Sequence, residues 1–162
     1  MVEASGVLVV GSAADGNLPG TVTLGGMAAR DQVLLLRFPA LWASREIDAA
    51  FLLLEPAVDA EPTHGDVLIR VTLAAGDWTP GVTTKQPPDR PPSSVALART
   101  RPPSVLRADV TAQLRVLHEH PESDHGLVLR ADAPALSGET YLTGADGGIP
   151  RLDVYSRPRK KP

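Results

Sequence analysis

Two uninterrupted apolar runs limit what this chain can build: Gln32-Val33-Leu34-Leu35-Leu36-Arg37-Phe38 and Ile47-Asp48-Ala49-Ala50-Phe51-Leu52-Leu53-Leu54-Glu55. Each is too short and too continuously apolar for an amphipathic surface helix. Pro39 and Pro56 stop them abruptly, so both are predicted as buried β-strands. They are expected to pair with each other across a short loop, at the centre of a two-layered all-β domain. Arg37 is the charge inside the first run, and an ion-pair or strand-end role suits it better than catalysis.

The remaining chain is punctuated in the same way. Its 16 prolines and 14 glycines fall between apolar runs rather than in a repeat, which points to many turns joining short strands. A length of 162 residues suits one domain with a sizeable core. The net charge of −3 excludes a chain that binds polyanions as a whole, leaving only local charge clusters to matter. The absence of cysteine excludes a disulfide framework, a thiolate nucleophile and cysteine metal knuckles.

In chain order, strands are predicted at residues 6–10, 21–24, 32–38, 47–55, 66–73, 105–110, 126–131, 139–143 and 151–155. Residues 78–103 carry seven prolines, Pro80 to Pro103, and are predicted as a long surface loop holding at most one short strand near residues 93–98. Asp109-Val110-Thr111 opens a short helix, capped by Asp109 or Thr111 and running through Glu119, where Pro121 ends it. Residues 157–162 form a basic tail, expected to lack order. The start has no basic segment, its apolar Val7-Leu8-Val9-Val10 is too short for an export signal, and no run approaches a membrane span. The chain is therefore expected to be cytoplasmic or incorporated in a particle, with a surface or secreted location if a leader has been trimmed.

Six landmarks stand in a recognisable order: Leu35-Leu36-Arg37-Phe38; Ile47, Ala50, Leu52 and Leu54; Trp78 with Val82-Thr83; Asp109-Val110-Thr111; Gly126-Leu127-Val128-Leu129; and Pro150-Arg151-Leu152 with Val154 and Tyr155. In that order and spacing the chain resembles the bacterial DNRLRE family of carbohydrate-binding-like β-sandwich modules, from about residue 20 to residue 155. The chain departs from the family pattern at Pro39, near Thr84 and at Leu117, where the family carries Asp, Trp and Trp. These changes thin out its aromatic platforms. The resemblance implies an all-β, jelly-roll-like antiparallel β-sandwich over residues 1–156, with one short helix and a long Pro-rich loop. It also implies a non-catalytic module.

The residues sort into four candidate chemistries. For a polysaccharide, Trp42, Trp78 and Tyr141 would supply stacking rings, with Arg37, Asp77 and Arg130 as polar partners; the alternative is core and loop packing, which suits Trp78 better because a Trp opening a long Pro-rich loop commonly pins it down. Asp15, Asn17 and Asp31 are oxygen donors for a structural Ca²⁺; no other cofactor is expected. The cluster His118-Glu119-His120-Pro121-Glu122-Ser123-Asp124-His125 is rich in metal-binding groups. It lacks the H-E-x-x-H spacing, and Pro121 prevents one helical face from presenting the set. Arg157, Arg159, Lys160 and Lys161 could lie along an acidic partner or nucleic acid, the bland alternative being a solubilising tail.

No G-x-S-x-G elbow or phosphate loop is present, and the carboxylates Glu46, Asp48, Glu55, Asp59 and Glu61 are scattered. The expected function is binding or scaffolding, as a structural component of a larger particle or surface complex that assembles with protein partners or itself. Polysaccharide recognition is the alternative, and no membrane role is expected. Activity is to be sought in the loop over residues 78–103, on the exposed sheet face or in the basic tail.

Overall fold

The Leu34-Leu35-Leu36 run lies deep in the molecule because both of its faces are covered. In the computed structural model, residues 1–10, 20–25, 32–39, 44–57, 67–79, 96–100, 105–131, 138–144 and 148–159 are described. They form strands β1 (Val2–Glu3), β2 (Gly6–Val10), β3 (Thr21–Gly25), β4 (Val33–Arg37), β5 (Arg45–Leu54), β6 (Val67–Leu73), β7 (Ala96–Thr100) and β8 (Leu106–Asp109). Helix α1 (Thr111–Glu119), a 3-10 turn at Pro121–Ser123, and strands β9 (Leu127–Ala131), β10 (Gly138–Leu142) and β11 (Arg151–Pro158) complete the chain.

Every ladder between these strands is antiparallel. One sheet has five strands in the order β2-β4-β9-β6-β7, the other four in the order β1-β11-β5-β8, and β3 and β10 form a separate pair. A bridge between Pro56 and Tyr141 ties that pair to the end of β5; the Leu142 N–H donates to Glu55 O at 2.9 Å and the Ala57 N–H to Thr140 O at 2.9 Å. The fold is all-β and sandwich-like, with antiparallel sheets and, among the described residues, a single short α-helix, as the sequence implies.

The expected pairing of β4 with β5 does not occur. β4 hydrogen-bonds β2 and β9, β5 hydrogen-bonds β11 and β8, and the two belong to different sheets. Their side chains meet in the core instead: Leu34 and Leu36 from β4 join Ile47, Ala50, Leu52 and Leu54 from β5 in one buried cluster. The two runs read alike in sequence for different reasons. β4 is buried on both faces, whereas β5 buries Ala50, Leu52 and Leu54 and leaves Ala49, Phe51 and Leu53 half-exposed on the outside.

Helix α1 begins where β8 leaves β5. The Val110 N–H still donates to Ala50 O at 2.9 Å, while Thr111 Oγ1 accepts the Ala50 N–H at 2.9 Å. Neither expected cap forms: Val110 holds the N-cap position without a side-chain bond, and one residue earlier Asp109 Oδ1 accepts from the Thr111 N–H at 3.0 Å and the Thr111 hydroxyl at 2.6 Å, an Asx turn that leads into the helix. Beyond that point Arg115 replaces β8 along the edge of β5. Its Nε donates to Ile47 O at 3.0 Å and its Nη2 to Asp48 O at 2.9 Å, satisfying carbonyls of the strand edge. Leu114 and Leu117 anchor the helix in the core.

The tail expected from residue 157 is strand at its start. β11 passes through a register shift between Tyr155 and Ser156 and continues to Pro158, so Arg157 belongs to the sheet. Side-chain pairing holds this extension: Arg45 Nε donates to Ser156 Oγ at 2.7 Å, and Arg157 forks onto Glu46 at 3.1 and 2.9 Å. Among the described residues no helix is long and apolar enough to cross a membrane.

Candidate functional site

Over β2, β4 and β9 the outer face of the five-stranded sheet is covered from within the chain. Leu8, Val33, Leu35 and Val128 project there and are covered by Ala74 and Trp78. The segment carrying that cover is fastened by four contacts. The Ala74 N–H donates to Gly126 O at 3.0 Å, the Trp78 indole N–H to His125 O at 2.6 Å, and Arg37 Nη2 to Trp78 O at 3.3 Å; Asp77 Oδ1 lies 2.8 Å from His125 Nδ1. The Arg37 guanidinium also sits 4.9 Å from the Trp78 ring centroid and 4.0 Å from Asp77.

Three of the residues expected to contact a glycan, Arg37, Asp77 and Trp78, are thus brought together, but around a tryptophan that is only 4% exposed. Beside them Asp124 accepts the Gly126 N–H at 3.0 Å, and burial pushes its carboxyl above the usual carboxylate range despite that bond.

Tyr141 is 0% exposed and packs in the main core, so its ring offers no face to a ligand. Arg130 is half-buried on β9, opposite Arg70 of β6. Trp42, the Ca²⁺ candidates Asp15, Asn17 and Asp31, and Lys160 and Lys161 of the tail lie outside the described residues. Among the described residues no three His, Asp or Glu side chains converge as metal ligands. The histidine-rich segment is spread out instead: His120 pairs with Glu122 at 3.4 Å and His125 with Asp77, while His118 faces a cleft beside α1.

That cleft has a volume of about 420 Å³ and is lined by Glu46, Asp48, Arg115, His118, Glu119, Arg157 and Arg159. Its charges largely satisfy one another. The hydrogen bond from Arg157, followed by its charge, holds the Glu46 carboxyl below its ordinary range, and the same bond raises Arg157. Arg157 also reaches Asp48 at 3.4 Å.

The outer face of the four-stranded sheet differs in kind. Phe51 lies at its middle, with the Arg107 guanidinium stacked 3.4 Å from its ring centroid and Tyr155 edge-on at 6.2 Å and 79°. Tyr155 is 57% exposed. The register aligns Arg107, Leu53 and Arg151 in one row across β8, β5 and β11, and Asp109, Phe51 and Asp153 in the next. Arg151 is steadied by Glu55 at 2.7 Å. Neither Phe51 nor Tyr155 was singled out as a ligand contact from the sequence. The signal was the two-residue alternation, which places Phe51 opposite to Leu52 and Leu54.

Compared with models of known protein families and with curated proteins, the chain matches none.

Proposed function

We propose that this chain is a non-catalytic β-sandwich module that acts by binding or scaffolding, as a component of a larger particle or surface complex. Its working surface is the outer face of the four-stranded sheet. The observation that carries this reading is the exposed Arg107–Phe51–Tyr155 cluster, on a sheet whose counterpart has its own outer face covered by Trp78. Arginine and tyrosine beside partly exposed apolar side chains are the residue types that dominate protein interfaces energetically. The resemblance to the DNRLRE family is part of the same proposal, since such modules bind rather than catalyse.

A second reading, polysaccharide recognition, is favoured by one feature: Tyr155 is exposed on the outer face of β11, two residues from Asp153 on the same strand. It shifts the glycan-contacting role from Trp78 and Tyr141 to Tyr155.

The test compares the wild-type chain with an Arg107→Ser/Tyr155→Ser variant by thermal melting, by the mass of the native complex each is purified in, and on a polysaccharide array. The variant is expected to melt normally and to lose its complex. A wild-type chain that travels as a lone protomer and retains no polysaccharide overturns the proposal, as does a folded variant that is still retained.

A further inference from the structure

The cleft of about 420 Å³ beside α1 brings three guanidinium groups to one place, and its carboxylates engage only one of them. Arg157 forks onto Glu46 and reaches Asp48, so both strand carboxylates are turned to the same arginine. Arg115 and Arg159 are left over. Among the described residues no carboxylate comes within ion-pairing distance of either. The Glu46 carboxyl is held below its ordinary range by the hydrogen bond and charge of Arg157 first, and then by the charges of Arg115 and Arg159. All three cations therefore act on the same small space.

Arg115 is the better prepared of the two. The helix presents Arg115, His118 and Glu119 on one face, since they stand three and four residues apart. The side-on edge of the Arg115 guanidinium is spent on the strand, where Nε donates to Ile47 O at 3.0 Å and Nη2 to Asp48 O at 2.9 Å. A guanidinium carries five N–H donors in a planar fork, so the end-on edge keeps one parallel N–H on each of Nη1 and Nη2. The two carbonyls fix the plane of the group without removing its charge. An oxyanion meets that edge in the bidentate geometry arginine favours, and little further ordering of the side chain is needed. Arg159, two residues beyond Arg157 and past the end of β11, supplies a second cation from the strand side of the cleft. His118 lines the cleft as well, and its Nε2 has no hydrogen-bond partner.

We propose that this cleft binds a small oxyanion, a carboxylate or a phosphate group, with Arg115 as its fork and Arg159 as the second cation. The volume suits a small molecule. Glu119, the remaining carboxylate of the cleft, opposes an anion and limits its affinity. The site uses none of the Arg107–Phe51–Tyr155 cluster, so it goes beyond the binding and scaffolding proposal and does not rest on it.

The test is calorimetric titration of the full chain with inorganic phosphate and, separately, with succinate, sodium chloride being adjusted to hold the ionic strength constant. Saturable binding of one anion per chain is expected with at least one of the two. Phosphate alone points to a phosphate ester as the ligand, succinate alone to a carboxylate. Arg159→Ala removes no hydrogen bond or ion pair of the fold among the described residues, and is expected to weaken binding roughly tenfold at unchanged melting temperature. Arg115→Lys keeps the charge but loses the fork, for a similar expected loss. Glu119→Gln is expected to tighten binding roughly threefold.

A wild-type chain that takes up neither anion saturably overturns the inference. So does binding that neither arginine variant weakens, or binding that Glu119→Gln abolishes. If Arg115→Lys fails to fold, Arg159→Ala decides alone. Arg107→Ser/Tyr155→Ser is expected to bind the anion as the wild type does, which keeps failure of this site distinct from failure of the binding and scaffolding proposal.

Discussion

The two outward-facing sheet surfaces of this sandwich start from similar materials and end differently. Leu35 on β4 and Phe51 on β5 both point away from the main core. Leu35 is 0% exposed beneath Trp78 and Ala74, whereas Phe51 is covered only in part, by a charged side chain and an exposed tyrosine. One face is finished within the chain, and the other is left with groups suited to meeting a partner. The difference arises less in the strands than in what returns over them: residues 74–79 fold back over β4, fastened to residues 125 and 126.

An acidic side chain separates the faces most sharply. Leu35→Asp buries an unpaired charge and is expected to abolish cooperative unfolding, with loss of the β-sheet signal in circular dichroism. Tyr155→Asp on the open face is expected to change stability by no more than about 0.5 kcal/mol in urea unfolding. Equal damage from both would break the comparison.

Removing the cover comes next. Trp78→Ala takes away a buried ring and the donor to His125 O, for an expected loss of about 3–5 kcal/mol. Dye binding should rise as the Leu35 surface opens. Gly126→Ala attacks the same seal from beneath. Gly126 has a φ of 87°, and an added Cβ would run into the backbone carbonyl of Leu36. Roughly 3 kcal/mol is expected to be lost, visible as a lower urea midpoint.

Two carboxylates sharpen the comparison at smaller scale. Asp109, at the open face, is held below the usual range by the hydrogen bonds it accepts from the Thr111 side chain and backbone. Its stabilising effect is present above the unfolded carboxylate value near pH 4 and is lost as pH falls through the lower folded value. Asp109→Ala should therefore cost less than about 1 kcal/mol at pH 7, because its hydrogen bonds to Thr111 are exposed to solvent, with the gap to wild type closing in strong acid. Asp124, beside the sealed face, is shifted the other way by burial. Folding favours its protonated form, a contribution present at low pH and lost as pH rises through the raised folded value. Asp124→Asn keeps an acceptor for the Gly126 N–H and removes the buried charge. Its melting temperature should equal or slightly exceed wild type at pH 7, with the advantage disappearing in acid.

Local structure was largely legible. Prolines, glycines and apolar runs marked β2, β3, β4, β5, β6, β8, β9 and β10 to within a few residues, and Asp109-Val110-Thr111 marked the start of α1. The two-residue β1 carries too little pattern to be seen, and the extension of β11 to Pro158 depends on Arg45 pairing with Ser156 and Glu46 with Arg157, each across 111 positions. The candidate site was legible only in outline. Tyr141 and Tyr155 both sit in short strands, but Tyr141 turns inward beside the Pro56 bridge and Tyr155 outward next to Phe51. Trp78 was correctly marked as a residue that could pin a loop. That it does so over β4, through Arg37 and His125, is a matter of distant contacts.

What the sequence determined by itself is most of the strands, the break points between them and which side chains share a face, because those follow from local sterics and a period of two. The tertiary structure alone decided that β4 and β5 oppose each other rather than pair, and that one outer face is sealed by Trp78. It also aligned the Arg107–Arg151 row beside the Asp109–Asp153 row. Alternation along a strand separates its two faces but carries no information about what covers either, and row alignment depends on the register between strands about 50 to 100 residues apart.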